Sequence, residues 1–395
     1  MVLFNFLMEG TLFMQKLTNV LLRGSWQTKN IGDIAHTPGF LALAKQVMPE
    51  VKIWLWPCEI DRGVREMLLE NYPGLRIVET PEEISEAFKT CELIINGSGP
   101  LVDHNAIERW TEETGKPYGF FGISADGYWD ERRRRIYSGA SFIYCRDTLS
   151  LHFLRFQEFE CPIIEFGPDA SYFLDLAPGT AATDFLRENQ LEDGKFICVI
   201  PRLRWTPNSF DDQGFYWRRE RKEKVSLGHV DSDMKKLREV ITHIVRTTDL
   251  KVLICPEMTY QVPLGRRYVY DLLPEDVKAR TVLRNEYWIT DEAMQVYAAS
   301  HSLISMEMHS PIMYTVLEKP AIYLRQAEDT FKGQMWRDMG LQKWIFELNN
   351  TSAETITECV DSIINDYPAA LALAAEARQT AIAAGTKALA AVAGK

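Results

Sequence analysis

The chain lacks any cysteine pair at a metal-ligand spacing, any apolar run long enough to span a bilayer, and any excess of positive charge. Each absence excludes something. The seven cysteines (Cys58, Cys91, Cys145, Cys161, Cys198, Cys255 and Cys359) fall mostly in apolar stretches and read as buried thiols rather than ligands or disulfides. That usage points to a reducing cytoplasm, and no metal or cofactor is expected from spacing alone. A net charge of −11 argues against sequence-independent nucleic-acid binding, which needs a basic face. Local basic residues can still hold an anionic substrate. Without a spanning run, no stable membrane insertion is expected. Residues Met1 to Phe13 are apolar but carry no basic start and no cleavage signal, so a signal peptide is not expected. An overlong start ahead of Met14-Gln15-Lys16 is the plainer reading, with a tail touching the inner face of the membrane as the alternative.

What is present is an ordinary globular composition, 46% hydrophobic and 25% charged, over 395 residues. That length predicts two domains. Short apolar strands alternate with amphipathic helices, which implies a parallel sheet covered on both faces. Strands are predicted at Asn19 to Leu22, Val51 to Trp56, Leu93 to Ile95, Tyr118 to Gly122 and Ser141 to Tyr144. Helices are predicted from Ile34 to Val47 and around Val64 to Glu70. The pattern breaks at Ala177-Pro178-Gly179-Thr180 and restarts. Further strands follow at Phe196 to Ile200, Val252 to Cys255, Thr281 to Leu283, Ser302 to Met306 and Ala321 to Leu324. Helices are predicted from Asp231 to Thr247 and from Asp291 to Ser300, the latter capped by Asp291. The fold class is therefore α/β, with two doubly wound, Rossmann-like domains facing a cleft. The predicted division is an uncertain extension at 1–13, domains at 14–180 and 181–350, and a C-terminal helical segment at 351–395. That last segment is rich in alanine, the best helix former.

The stretch Ser305-Met306-Glu307-Met308-His309-Ser310-Pro311 carries the most information. It follows a buried strand and leads into a helix, with Ser310 read as N-cap and Pro311 as the first helical residue. His309 therefore sits where ligands of open α/β sheets bind, and a helix N-terminus favours an anion there. A lone histidine is usually structural, but this one outranks the other six. If the side chain of Glu307 met it, the pair would hold His309 protonated and ready to donate.

Other strand ends add candidates. Asn30 and Asp33 lie in the loop Lys29-Asn30-Ile31-Gly32-Asp33, where Asp33 reads either as a helix cap or as a substrate contact. Gly97, Ser98 and Gly99 form a turn that lets backbone N–H groups approach a ligand, although a plain tight turn is the stronger reading. Asp103 follows it. Arg146 precedes the natural cap Asp147 and could either cross the cleft or pair with a carboxylate. Arg202 and Arg204 end a strand and could bind phosphate or carboxylate. The aromatic and basic segment from Trp205 to Arg221 reads equally as an acceptor loop or a packed lid. Glu257 ends another strand as a cleft carboxylate, with capping or pairing the plainer role. The run Arg132 to Arg135 reads as a solvated helix face.

Taken in order, these segments resemble the polysaccharide pyruvyl transferase family. The resemblance rests on Asn30-x-Gly32-Asp33, the turn 97–99 with Asp103, Phe121-Gly122-Ile123, Arg146-Asp147-x-x-Ser150, Gly167-Pro168-Asp169, and Ser305 to His309 leading into Glu318-Lys319-Pro320. It runs from about Leu17 to about Leu341. It implies a GT-B-like fold and transfer of the enolpyruvyl group of phosphoenolpyruvate to a sugar hydroxyl, giving a ketal and phosphate. By resemblance, His309 matches the family's acid. Arg202 or Arg204 and Arg146 match arginines of the pattern, and Lys332 matches a lysine after the last strand with a one-residue shift. Glu307 departs from the pattern, because the family usually has an arginine there. At about 4 Å and an effective dielectric of about 20, one such charge contact is worth roughly 4 kcal/mol gross, so reversing its sign is a large change.

Three functions follow. The first is pyruvyl transfer to a surface or capsular glycan precursor or sugar-lipid acceptor. Arg202, Arg204 and Lys332 would hold the donor, His309 would serve as acid, and Glu257, Asp33 or Asp103 as base. The second is a GT-B-type glycosyltransferase or other sugar-modifying enzyme with a different donor, with Glu307 and His309 as an acid–base pair. The third is a sugar-binding relative without turnover. A homo-oligomer is compatible with all three.

Overall fold

Strand β1 (Asn19–Gly24) shows how the sequence builds the first sheet. Val20 and Leu22 enter one hydrophobic cluster and Leu21 the other. The same split separates Leu93 and Ile95 from Ile94, as a two-residue side-chain period requires of a sheet buried on both faces. The computed structural model describes residues 17–394 except 100–101, 126, 128, 177–179, 181, 212 and 330. The extension 1–13, the start at Met14 to Lys16 and most of the break at Ala177 to Thr180 lie outside the described residues.

The first sheet adds β2 (Lys52–Pro57), β3 (Arg76–Ile77), β4 (Leu93–Asn96), β5 (Tyr118–Ile123), β6 (Phe142–Cys145) and β7 (Ile164–Phe166). Its order is β3-β2-β1-β4-β5-β6-β7, all parallel. The second sheet has β8 (Phe196–Ile200), β11 (Lys251–Ile254), β12 (Thr281–Leu283), β13 (Ser302–Ser305), β14 (Ala321–Arg325) and β15 (Ile345–Glu347). Its order, β12-β11-β8-β13-β14-β15, is also parallel. Both orders are those of Rossmann-like sheets, which reverse direction beside their first strand. The reversals fall between β1 and β4 and between β8 and β13. Loops leaving those strands are where ligands bind in such folds.

Several boundaries differ from expectation. Strands β3, β7 and β15 are two or three residues long, too short for the pattern to reveal. The segment after Arg204 forms a hairpin of β9 (Ser209–Phe210) and β10 (Phe215–Tyr216), and its helix starts at Glu220 rather than Asp231. The helix before β13 runs Thr290–Ala299, so Asp291 lies in its first turn and does not cap it.

The alanine-rich tail forms two helices, Ala353–Asn365 and Tyr367–Val392. The second buries Ala370, Ala374, Ala377, Ala381, Gly385, Ala388 and Leu389, one helical stripe. Its small residues allow close approach: a Cβ at Gly385 would lie 2.1 Å from the Phe173 ring. The chain's last helix therefore returns to pack on the first sheet's layer. Among the described residues, no helix is long and apolar enough to cross a membrane.

Candidate functional site

The two sheets meet through backbone bonds at the Asn30 loop. Ile31 N donates to Glu257 O at 3.0 Å and Thr259 N to Lys29 O at 3.1 Å. Thr290 Oγ1 donates to Ile31 O at 2.7 Å. Asn30, rather than Asp33, caps the first helix (Ile31–Val47), accepting from Gly32 N at 2.7 Å. Asp33 lies within the first turn, and His36 follows at an i,i+3 spacing that places both on one helix face.

His309 stands over this helix start. A Cβ on Gly32 would lie 2.3 Å from His309 Cβ and Cγ, so only glycine leaves room for the ring. The His309 helix spans His309–Val316 with Met308 at the N-cap position, two residues earlier than the sequence predicts. Pro311 is still within the first turn, where its missing N–H costs nothing. The helix is capped from a distance: Ser310 N and Ser310 Oγ both donate to Glu257 Oε2 at 2.7 Å. The anion expected at this N-terminus is therefore Glu257 itself.

The other oxygen of Glu257 faces His309 Nδ1 at 3.5 Å and has no hydrogen-bond partner among the described residues. At that length the contact is an ion pair rather than a short hydrogen bond. His309 Nε2 lies 3.2 Å from His36 Nε2 and 4.0 Å from Asp169 Oδ2. His36 in turn faces Asp169 Oδ1 through Nδ1 at 3.8 Å and Asp33 Oδ1 through Nε2 at 3.9 Å. Both rings are buried, at 2% and 4% exposure, so these carboxylates act with little water between.

The charge states follow. Burial works against a charged His309, but the contact with Glu257 and the charge of Asp169 outweigh it and raise its pKa. Burial and the neighbouring His309 hold His36 down to about 4, so it stays neutral. Burial opposes a charged Glu257, yet its ion pair with His309 and its bonds from Ser310 keep it below the usual carboxylate range.

Glu307 does not meet His309. Its Oε1 accepts from Gln261 at 2.8 Å and lies 3.1 Å from Arg202 Nε, within ion-pair distance though outside hydrogen-bond geometry. Burial pushes Glu307 up to about 7 against the pull of Arg202. The arginines are engaged. Arg202 also binds Asp329 and Gln326; Arg204 binds Asp233 at 2.9 Å and Asn349 at 2.5 Å; Arg146 binds Asp169 at 2.7 Å. Arg146 therefore pairs with a carboxylate rather than crossing the cleft. Lys332 opens the helix Lys332–Asp338, and its charge acts on both Glu307 and Asp329.

The remaining predicted residues are built into turns. Asp103 caps the helix His104–Thr114 and pairs with Arg23 at 2.8 Å. Ser98 Oγ donates to Gly122 O at 2.9 Å and accepts from Ala170 N at 3.1 Å. Gly99 has φ +148°, a backbone conformation side chains resist. Gly97 N donates to Arg23 O at 2.8 Å, tying the start of the turn to β1. These residues hold the loop's shape.

Sequence reasoning misses His36, and it gives Asp169 and Gln261 no role. The spacing Asp33-x-x-His36 at a helix start was the available signal for His36. Its partner His309 lies 273 positions away.

Solved structures confirm the architecture. The chain is similar to UDP-GlcNAc 2-epimerase from Neisseria meningitidis, solved bound to UDP-GlcNAc, at 12% identity and TM-score 0.57, covering 94% of this chain and 98% of that one. It is similar to HepE of Anabaena, solved with UDP-glucose, at 11% identity and TM-score 0.54, covering 95% and 98%. The E. coli ADP-heptose heptosyltransferase II matches at 11% identity and TM-score 0.55, covering 89% and 100%. At these identities the likeness is one of fold. A search of curated proteins finds no match. The family model described as polysaccharide pyruvyl transferase matches residues 30–327.

Proposed function

The chain belongs to the polysaccharide pyruvyl transferase family, and on that premise we propose that it moves the pyruvyl group of phosphoenolpyruvate onto a sugar hydroxyl of a surface or capsular glycan precursor. The observation that carries this reading is His309. It is buried between the two sheets, seated on Gly32, and held toward its charged form through Glu257. A histidine held charged is suited to give a proton to carbon.

In this mechanism His309 Nε2 protonates the methylene carbon of the donor, and a sugar hydroxyl adds to the neighbouring carbon. A second hydroxyl of the sugar then displaces phosphate, which carries away that hydroxyl's proton, and closes the ketal. Asp33 takes the proton of the first hydroxyl, because its side chain is 14% exposed whereas Glu257 is spent on His309 and Ser310. Glu257 is a positioning residue. In the resting geometry His309 Nε2 faces His36, so the donor must take that place beside it. Lys332 and Arg202 meet the donor's charges.

One observation favours a second reading, a sugar-modifying enzyme with a nucleotide-sugar donor. Arg146, Arg202 and Arg204 are each matched to a buried carboxylate, which leaves little spare positive charge for a multiply charged anion. Two of the structural neighbours were solved with UDP-sugars.

Thermal unfolding with phosphoenolpyruvate against UDP-sugars decides between them. A ligand at about a hundred times its Kd adds roughly 2.7 kcal/mol of stability, a readable shift. A shift with phosphoenolpyruvate, followed by phosphate release with a glycan acceptor, supports pyruvyl transfer. A shift with UDP-sugars alone transfers the assignment to the second reading.

A further inference from the structure

Three donors converge at the seam between the sheets: one atom each from Asp33, His36 and His309, all within 4.8 Å of one another. We propose that they form a site for a divalent transition metal of the zinc class, joining the first helix of one sheet to the His309 helix of the other.

The first argument is spacing. Four donors at about 2.0–2.1 Å from a tetrahedral zinc lie roughly 3.3 Å apart. The two ring nitrogens are 3.2 Å apart already. Asp33 Oδ1 is 3.9 Å from His36 Nε2, and the Asp33 donor lies within 4.8 Å of that of His309, so the carboxylate needs to close by about half an ångström toward His36 and by up to about 1.5 Å toward His309, a swing open to a side chain that is 14% exposed. Its other oxygen accepts from Gln27, which orients the carboxylate and leaves Oδ1 for the metal.

The second argument is the outer ring of contacts. Metal-bound histidines give their remaining N–H to a carboxylate, which fixes the tautomer. Here each ring has a carboxylate in that position: His309 Nδ1 faces Glu257 and His36 Nδ1 faces Asp169. His36 Nδ1 and Glu257 Oε1 are buried without hydrogen-bond partners among the described residues, at 3.8 and 3.5 Å from those counterparts. Drawing both Nε2 atoms onto one ion would set the rings. A proton shared between the rings also accounts for the 3.2 Å contact, and metal titration separates the two.

The third is charge. Asp33, Asp169 and Glu257 surround the two rings, and Arg146 is the cation bonded within that group. A divalent cation that takes the place of the His309 proton balances the three carboxylates together with Arg146. Three protein ligands leave one position open for water or a substrate oxygen. One consequence rests on the reading above: a metal on His309 Nε2 takes the nitrogen that delivers the proton, so zinc inhibits pyruvyl transfer.

The test is titration of chelator-treated, full-length protein with Zn2+ by calorimetry, and with Co2+ by visible absorption. One metal per chain is expected, with tetrahedral cobalt bands. His36→Asn and Asp33→Asn should each weaken binding by more than about 100-fold, beyond the 10–100-fold of outer-contact losses. Metal-free unfolding scans check that each variant folds, and Asp33→Asn, nearly isosteric and part exposed, stands in if His36→Asn does not. His243→Asn, at a surface pair with Asp361, should bind as wild type. Equal binding by wild type and both seam variants, or none by wild type, overturns the site. Zinc binding without inhibition leaves the site and removes His309 as proton donor. Transfer without metal binding removes the site and leaves that role.

Discussion

Ser310 gives both its backbone N–H and its hydroxyl to one oxygen of Glu257, at 2.7 Å each. The carboxylate comes from the loop after β11, and the serine from the first turn of the His309 helix. Glu257 thus occupies the anion position at that helix N-terminus. Its second oxygen is aimed at His309 by the same two bonds.

Glu257→Gln keeps the shape and removes the charge. The basic limb of the kcat/KM profile for pyruvyl transfer should move to lower pH, because His309 loses the partner that raises its pKa. Stability should fall by about 1–3 kcal/mol for the impaired buried bonds. A stability loss with an unmoved pH profile would show a purely structural role.

His309→Asn should lower kcat by about 10²–10⁴-fold, the usual worth of a general acid, with little change in the KM of phosphoenolpyruvate. Steady-state kinetics measure both. A variant that retains kcat removes His309 from the chemistry.

Gly32→Ala places a methyl group 2.3 Å from His309 Cβ and Cγ, where neither helix start can yield cheaply. About 1–3 kcal/mol of destabilisation is expected from overpacking, read by denaturant unfolding, together with loss of activity. Unchanged stability and activity would mean that the ring has another place to go.

The pH dependence of stability has a definite sign. Glu307 has a folded pKa of about 7, above its unfolded value of 4.5, so the folded state holds more protons between them. Stability should therefore fall as pH rises through that window. His309 adds in the same direction, its contribution being full below its unfolded pKa and lost as pH rises through its higher folded one. Glu307→Gln should flatten the decline and be more favourable relative to wild type at pH 8 than at pH 5. Urea midpoints across that range measure it, and parallel curves for the two proteins would place Glu307's proton elsewhere.

Much of the fold was legible because it is local. A run such as Phe196–Ile200 is apolar throughout, as a strand covered on both faces must be, and alternation with helices fixed the parallel class. Short edge strands such as β3 and β15 carry too few residues to show a period. The tail's alanines announced a helix, but where it docks is set by distant partners such as Phe173, which receives Gly385.

For the site, the sequence by itself determined which strand ends carry polar residues. It placed Asn30, Arg202, Glu257 and Glu307 in loops that follow parallel strands, and Asp33 and His309 at the helix starts beside them, because such loops gather at one edge. Tertiary structure alone decided the partners. Glu307 and His309 are two residues apart, yet one turns to Arg202 and Gln261 and the other to Glu257 and His36. Side-chain direction at a strand-to-helix turn depends on what lies across the seam, and here that is a glycine, a carboxylate and a second histidine from distant parts of the chain.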